Sequence, residues 1–512
     1  MKLSFMKTLS KIQILTALSL IFLVTACKPE SLNNQCDSKS DSFFPNLIVQ
    51  AVTTAVSYHC GFNLVNIPPF GYRYSNYRLY LNFPVSIIPR HPMNSSYSIQ
   101  GVLPTGLTFD HTTGEIKGTA TAITTATNLT ITKNSPGFGI VTITLQVVDT
   151  SATMVYGQYG FYNCANNYNN GSCAPGGPVT NQNLGFPFGV TGDSSGGVYI
   201  SGVNRIQYFP PNTTASTKVY GQFGSFSCDI ANNISAGSCT NSSPSEHTLN
   251  GVREIALDGQ DGLYAVDTAN QRALYYPKNT TTASMVYGQP GFTTSAPGST
   301  SEVSLNNPQS IATSPEGGLY ISESATHRVL YFPPGSTTAT RVYGQTSFST
   351  TVTNTTNVNL YGPMGITLDS DGGLYVVDTN HNRVLYFPVG STTATRVYGQ
   401  PSFTTGIAGA TSASTLSGPT KVALDQSDNL YVSDTGNNRV VMYPRTTQST
   451  GIVAVGVFGQ FGDFSCGVAN NNGSCGGPAV GPKNLSGPAG IYFNQLGQLH
   501  VADQGNNRIL VF

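Results

Sequence analysis

Charge is what this sequence has least of. Asp, Glu, Lys and Arg make up only 9% of its 512 residues and balance to a formal net charge of zero. Without an excess of either sign there is no electrostatic footprint for a nucleic acid, and no nucleic-acid partner is expected. Helical periodicity is missing as well: beyond the N-terminal segment no long stretch repeats its apolar positions every 3.6 residues. There is no nucleophile elbow, phosphate loop, paired-carboxylate motif or Cys-x-x-Cys pair. The shortage of charge does not imply disorder, because 39% of residues are hydrophobic and 10% are aromatic. What abounds is Gly, Thr, Ser, Asn and Tyr. That composition suits short strands joined by many turns, so an all-β chain is expected.

The N-terminus reads as a targeting segment rather than as part of the fold. Lys2, Lys7 and Lys11 accompany an apolar stretch over 12–24, about 13 residues and short for a membrane-spanning helix. It ends Val24-Thr25-Ala26-Cys27. This resembles the lipobox of bacterial lipoproteins, whose pattern favours Leu where Val24 stands; the alternative is an ordinary secretory signal. The resemblance implies cleavage before Cys27 and membrane attachment through lipid on that residue. Lys28 rather than Asp follows, so by the enterobacterial sorting rule an outer-membrane location in the cell envelope is expected. Setting Cys27 aside leaves eight of nine cysteines. Six form local pairs, Cys164 with Cys173, Cys228 with Cys239 and Cys466 with Cys475. Cys36 and Cys60 remain as a fourth candidate pair. An oxidising compartment would permit all four disulfides.

Residues 1–26 are thus assigned to a signal peptide and 27–71 to a lipid-anchored tether. From 72 to 150 the text changes. Leu103-Pro104-Thr105-Gly106-Leu107 leads to Thr113-Gly114-Glu115-Ile116-Lys117-Gly118-Thr119, followed by an alternating run over 140–148. This resembles an Ig-like family of bacterial surface domains and implies a small β-sandwich. A spacer with its own core, outside the main domain, is expected.

Residues 151–512 are a repeat array. Tyr-Gly-Gln recurs at Tyr156, Tyr220, Tyr287, Tyr343 and Tyr398, with Phe458-Gly459-Gln460 as the sixth copy. Between these stand Arg205, Arg272, Arg328, Arg383, Arg439 and Arg508, at spacings of 55, 56, 67 and 69 residues. The text around Asp378-Thr379-Asn380-His381-Asn382-Arg383 resembles the NHL repeat family, which implies a six-bladed β-propeller with four strands, a to d, per blade. The array opens with a lone strand d at 153–158 and ends with strands a to c, so the two ends are expected to complete one mixed blade, a 1+3 closure.

In such a ring the d-a and b-c loops share one face and the a-b and c-d turns the other. The d-a loops vary and hold all three local cysteine pairs, which makes the d-a/b-c face the expected binding face. Candidate turn residues there are Asn270, His327, His381, Asn437 and Asn506. The pairs Asp267 with Arg272, Asp378 with Arg383, Asp434 with Arg439 and Asp503 with Arg508 recur too often to be catalytic and are read as structural ion pairs. Glu323 stands in for Asp beside Arg328. Blade 1 has Ser201-Gly202 instead, so a looser blade is expected there. The expected function is non-catalytic binding of a protein or glycan by a monomer without a cofactor. The alternative is a metal-dependent hydrolase or lyase with its site at the propeller axis.

Overall fold

A computed structural model describes residues 70–90, 96–135, 139–169, 171–174, 176–477 and 479–512. The signal peptide and the lipid site Cys27 lie outside the described residues. So does the fourth candidate disulfide: neither Cys36 nor Cys60 is among them, and the pairing of Cys36 with Cys60 stays an expectation of the sequence alone. Residues 72–512 form one compact unit of two parts.

The first part is a two-sheet sandwich. One sheet orders its strands Asn76–Tyr80, Gly139–Val148, Thr127–Ser135 and Ser96–Gln100; the other orders Pro84–Ile87, Ile116–Thr119 and Leu107–Phe109. Two glycines of the motif explain its spelling. Gly106 and Gly118 have φ of +92° and +131°, and a Cβ on Gly118 would lie 2.3 Å from the Gly106 carbonyl oxygen. Only glycine permits that conformation and that approach.

The second part is a ring of six four-stranded sheets. Blade 4 shows the pattern: strand a is Pro363–Leu368, b Leu374–Asp378, c Arg383–Phe387 and d Arg396–Tyr398. Strands b and c are buried along their whole length, as expected for sheets covered on both faces. In the a-b turn Asp369 accepts hydrogen bonds from the Asp371 and Gly373 amides at 3.0 and 2.7 Å. Asx geometry of this kind fixes the reversal. Blade 6 takes strands Pro488–Phe493, Leu499–Asp503 and Arg508–Val511 from the C-terminus and Met154–Tyr156 from the start of the array. Leu510 pairs with Val155 across that junction. Strand a of each blade touches the next around the ring, and blade 6 returns to blade 1.

Each letter of the Tyr-Gly-Gln repeat has a task. The aromatic ring of strand d packs edge-on against the aromatic residue ending strand c of the following blade. These pairs are Tyr156–Phe209, Tyr220–Tyr276, Tyr287–Phe332, Tyr343–Phe387, Tyr398–Tyr443 and Phe458–Phe512, with centroids 5.2–5.5 Å apart. The glycine has positive φ at all six sites, and in blade 4 its Cβ would meet Leu416 at 2.4 Å. The glutamine amide ties the b-c turn to the outgoing loop: Gln400 Nε2 donates to the Asn382 and Ile407 carbonyls at 3.1 and 2.9 Å.

The sandwich is not an outlying spacer. Tyr80 and Phe83 share one buried cluster with Phe458, Met442, Leu499 and Phe512 of blades 5 and 6. The Tyr80 ring stands edge-on to Phe458 at 4.9 Å, and Phe83 lies 5.2 Å from Phe458. The Tyr80 hydroxyl accepts from the Leu499 amide and donates to the Phe512 carbonyl, both at 3.3 Å. Arg73 pairs with Asp428 of the blade 5 a-b turn at 2.6 Å. The sandwich therefore docks on the a-b face through this shared cluster, while Leu129, Ile131, Ile143 and Leu145 of its own core lie buried outside that cluster.

Candidate functional site

The aromatic contacts of the sandwich and its Arg73–Asp428 pair lie on the a-b side, and Asp149 at its end reaches Lys483 of the d-a loop 459–487 at 3.3 Å. The d-a/b-c face is built on a repeated ionic clamp. Arg383 is fully buried, and its Nε donates to Asp378 at 2.7 Å. Its Nη2 donates to the Thr356 and Asn359 carbonyls of the incoming d-a loop, and its Nη1 to the Phe403 carbonyl of the outgoing one, at 2.5 Å. One guanidinium thus uses its fork of donors to hold two loops and a turn. Arg272 with Asp267, Arg439 with Asp434 and Arg508 with Asp503 repeat the contact at 2.7 Å, and Arg328 with Glu323 at 2.6 Å. Burial raises the Asp267, Asp434, Asp503 and Glu323 pKa values, with the paired arginine opposing.

Blade 1, whose turn has no acidic residue, keeps its arginine with a more distant partner. Arg205 remains buried, and Asp229 approaches its Nε at 3.9 Å. Asp229 follows Cys228 in the outgoing d-a loop and also accepts from the Asn204 amide at 2.9 Å. The carboxylate missing from the turn is supplied by a disulfide-bearing loop. Proximity of Asp229 to a cysteine was the available sequence signal, but nothing in the spacing revealed the contact.

The candidate turn residues are committed to the scaffold. Asn270, Asn437 and Asn506 donate from Nδ2 to the aspartate of their own clamp at 2.8, 2.9 and 2.8 Å. His381 takes the same place through Nδ1, 2.9 Å from Asp378. His327 belongs to a second repeat, a latch between blades. Its Nδ1 accepts from the Gly362 amide at 3.2 Å. Asn204, Gln271, Asn382, Asn438 and Asn507 accept in the same way from Gly251, Asn307, Gly418, Gly487 and Phe186. Burial lowers the His327 pKa, consistent with a neutral acceptor ring. The two histidines therefore occupy positions that amides fill elsewhere.

At the axis, sequence reasoning missed a buried ion pair. Lys421 in strand a of blade 5 reaches Glu254 in strand a of blade 2 at 2.6 Å. Its ammonium also donates to Ser310 Oγ and the Ile366 carbonyl at 3.2 and 3.3 Å. Glu254 is pushed up by burial, against the lowering pull of Lys421. Gly189, Gly365 and Gly490 occupy the matching positions of three of the other four strands and Ser310 that of the fourth, which lets the backbones close in around this plug. A divalent metal here would meet one carboxylate already neutralised by an ammonium, a donor set unlike those that hold such ions. Elsewhere among the described residues no three of His, Cys, Asp or Glu converge. A cavity of about 320 Å³ lies on the a-b side, lined by Glu254, Lys421, Arg73 and Tyr74.

Disulfides join Cys164 to Cys173, Cys228 to Cys239 and Cys466 to Cys475, with Cα atoms 5.2, 5.3 and 5.6 Å apart. The three bridged loops, 157–189, 221–251 and 459–487, are consecutive around the ring, from blade 5 to blade 2. The other half of the face carries shorter Ser/Thr-rich loops without cysteine.

Residues 64–153 match the family described as "Putative Ig domain", and residues 360–387 and 416–443 match the NHL repeat. No curated protein matches the chain. Among solved structures, a streptogramin B lyase is 13% identical, with 64% of this chain and 93% of that chain covered and a TM-score of 0.39. A protein of unknown function from Bacteroides thetaiotaomicron is 13% identical, with 87% and 98% covered and a TM-score of 0.46. A gluconolactonase from Xanthomonas campestris is 12% identical, with 65% and 88% covered and a TM-score of 0.40. Likeness at this level carries no argument about activity.

Proposed function

We propose that this NHL-repeat β-propeller protein, with its N-terminal Ig-like domain, is a cell-envelope lipoprotein that binds a protein or glycan ligand without catalysis. Its Cys27 carries the lipid that anchors it in the outer membrane, and its d-a/b-c face receives the ligand. One observation carries this reading: the Ig-like domain occupies the a-b face, whereas the opposite face presents varied, disulfide-stapled loops on a clamped scaffold. Rigid loops of this kind keep the ordering cost of binding low. The axis, where a catalytic metal would be sought, is filled by Lys421 and Glu254.

Two experiments test the two halves of the reading. Cys27→Ser should move the protein from the membrane to the soluble fraction and abolish acyl labelling; unchanged membrane association sinks the anchor. For the face, Asn163, Ser227 and Ser465 are exposed residues that each precede the first cysteine of a bridged loop. Changing all three to Glu should abolish retention of the detergent-solubilised chain on an isolated envelope fraction. Ser195→Glu with Gln260→Glu, on the a-b turns, should leave retention intact. The reverse pattern rejects the d-a/b-c face as the binding face.

A further inference from the structure

Four phenylalanines of the described residues are exposed, and all four lie in the bridged loops. Phe161, Phe186, Phe223 and Phe461 retain 44%, 52%, 38% and 46% of their accessible surface. Three aromatic residues directly follow the repeat glutamine in those loops, Tyr159, Phe223 and Phe461, with φ of +54°, +51° and +54°. A bulky side chain is disfavoured in that region. The other three repeats place Pro290, Thr346 and Pro401 after the glutamine, and none of these has positive φ. Phe186 repeats the anomaly. Its φ is +46° at a position filled elsewhere by Gly251, Asn307, Gly362, Gly418 and Gly487. Two other aromatics of the same loops, Tyr162 and Phe464, pack against the buried clusters instead. Strain kept where glycine or asparagine would relieve it, on rings the core does not use, marks a contact surface.

Charge on these loops narrows the ligand. Loop 157–189 has no ionisable side chain other than tyrosine and its bridged cysteines. In 221–251, Asp229 serves Arg205, and in 459–487 Lys483 pairs with Asp149 at 3.3 Å. Glu246, beside His247 at 3.6 Å, and Asp463 remain. Phe186, Phe223 and Phe461 stand on separate loops, divided by Asn, Ser and Thr, rather than merging into the continuous apolar core of a protein interface. Separate apolar platforms among amide and hydroxyl groups match the C–H faces and hydroxyl edges of sugar rings. Resting on the binding-face reading above, we infer that the bridged half of this face binds a neutral glycan by stacking sugar rings on Phe186, Phe223 and Phe461.

The test uses the full chain in detergent and a panel of immobilised neutral glycans: β-glucans, mannans and chitin oligomers. Heparin and polygalacturonate serve as acidic controls. Wild-type protein should bind at least one neutral glycan, and binding should survive about 1 M NaCl, where charges are screened within about 3 Å. The triple variant Phe186→Asn, Phe223→Asn, Phe461→Asn should bind about tenfold more weakly or worse, since asparagine tolerates positive φ but offers no ring. Its Tm should stay level or rise, which separates lost stacking from lost folding. Phe223→Tyr with Phe461→Tyr should retain binding. Failure of every neutral glycan, unchanged binding by the triple variant, or salt-labile binding to acidic glycans alone overturns the inference. If envelope retention depends on the face but is destroyed by protease treatment of the envelope, the ligand is a protein; the binding-face reading then stands and the glycan falls.

Discussion

The Arg–Asp clamps are the most consequential single residues. Removing one partner leaves a buried charge without its counterpart, which typically costs about 3–5 kcal/mol. Arg383→Ala should therefore lower stability by that order in denaturant unfolding, and Arg205→Ala by less, because its carboxylate is farther away at 3.9 Å. Equal losses at the two sites would contradict the geometry. His500 gives a pH test. It is fully buried, which pushes its pKa down to about 4 from about 6.5. The unfolded chain then binds the proton first, so stability is full above pH 6.5 and falls by about 3 kcal/mol as pH drops toward 4. Asp425, pushed up to about 6 by burial, works the other way and favours the folded state below that pH. The two groups oppose each other in the wild-type profile, so the His500 contribution is read as the difference between variant and wild type. Between pH 7 and 4 the stability of His500→Leu should fall less than that of the wild type; identical profiles would remove His500 from the account. The repetition of the clamp pairs was legible in the sequence and argued for a structural role. Asp229 and the Lys421–Glu254 pair were not legible, because each joins strands or loops whose meeting depends on ring geometry rather than on spacing.

At the scale of elements, the strands and blades were readable because each repeat restates the same buried pattern. The docking site of the sandwich was also written in the sequence, as departures from that pattern. Blades 1 to 4 pair tyrosines across strands b and c, such as Tyr375 with Tyr386, whereas blades 5 and 6 pair Tyr431 with Met442 and His500 with Val511. Strand d of blade 5 begins with Gly456, whose Cβ would strike the Phe83 ring at 2.2 Å. Phe458 replaces the repeat tyrosine where the Ig-like domain packs over it. Lost hydroxyls and a lost side chain mark a covered surface, but only to a reader who already suspects a cover. Since Tyr80 and Phe83 are buried in one cluster with blades 5 and 6, residues 72–512 should unfold in one calorimetric transition. Phe83→Ala should cost about 3–5 kcal/mol of it. Two separate transitions, with the propeller unaffected by Phe83→Ala, would restore the independent-spacer expectation.

For the whole molecule, the ring closes by joining 154–156 to 508–511, so first and last segments of the array stabilise each other. Closure holds the three bridged loops side by side across the junction of blades 5, 6, 1 and 2. One face carries the chain's own Ig-like domain, and the proposal is that the other receives a ligand. Hydrogen exchange of the full chain with and without the envelope fraction tests it most directly. Ligand engagement should slow exchange in 157–189, 221–251 and 459–487 and leave the a-b turns and residues 72–149 unchanged. Protection confined to the a-b turns or the Ig-like domain would contradict the account.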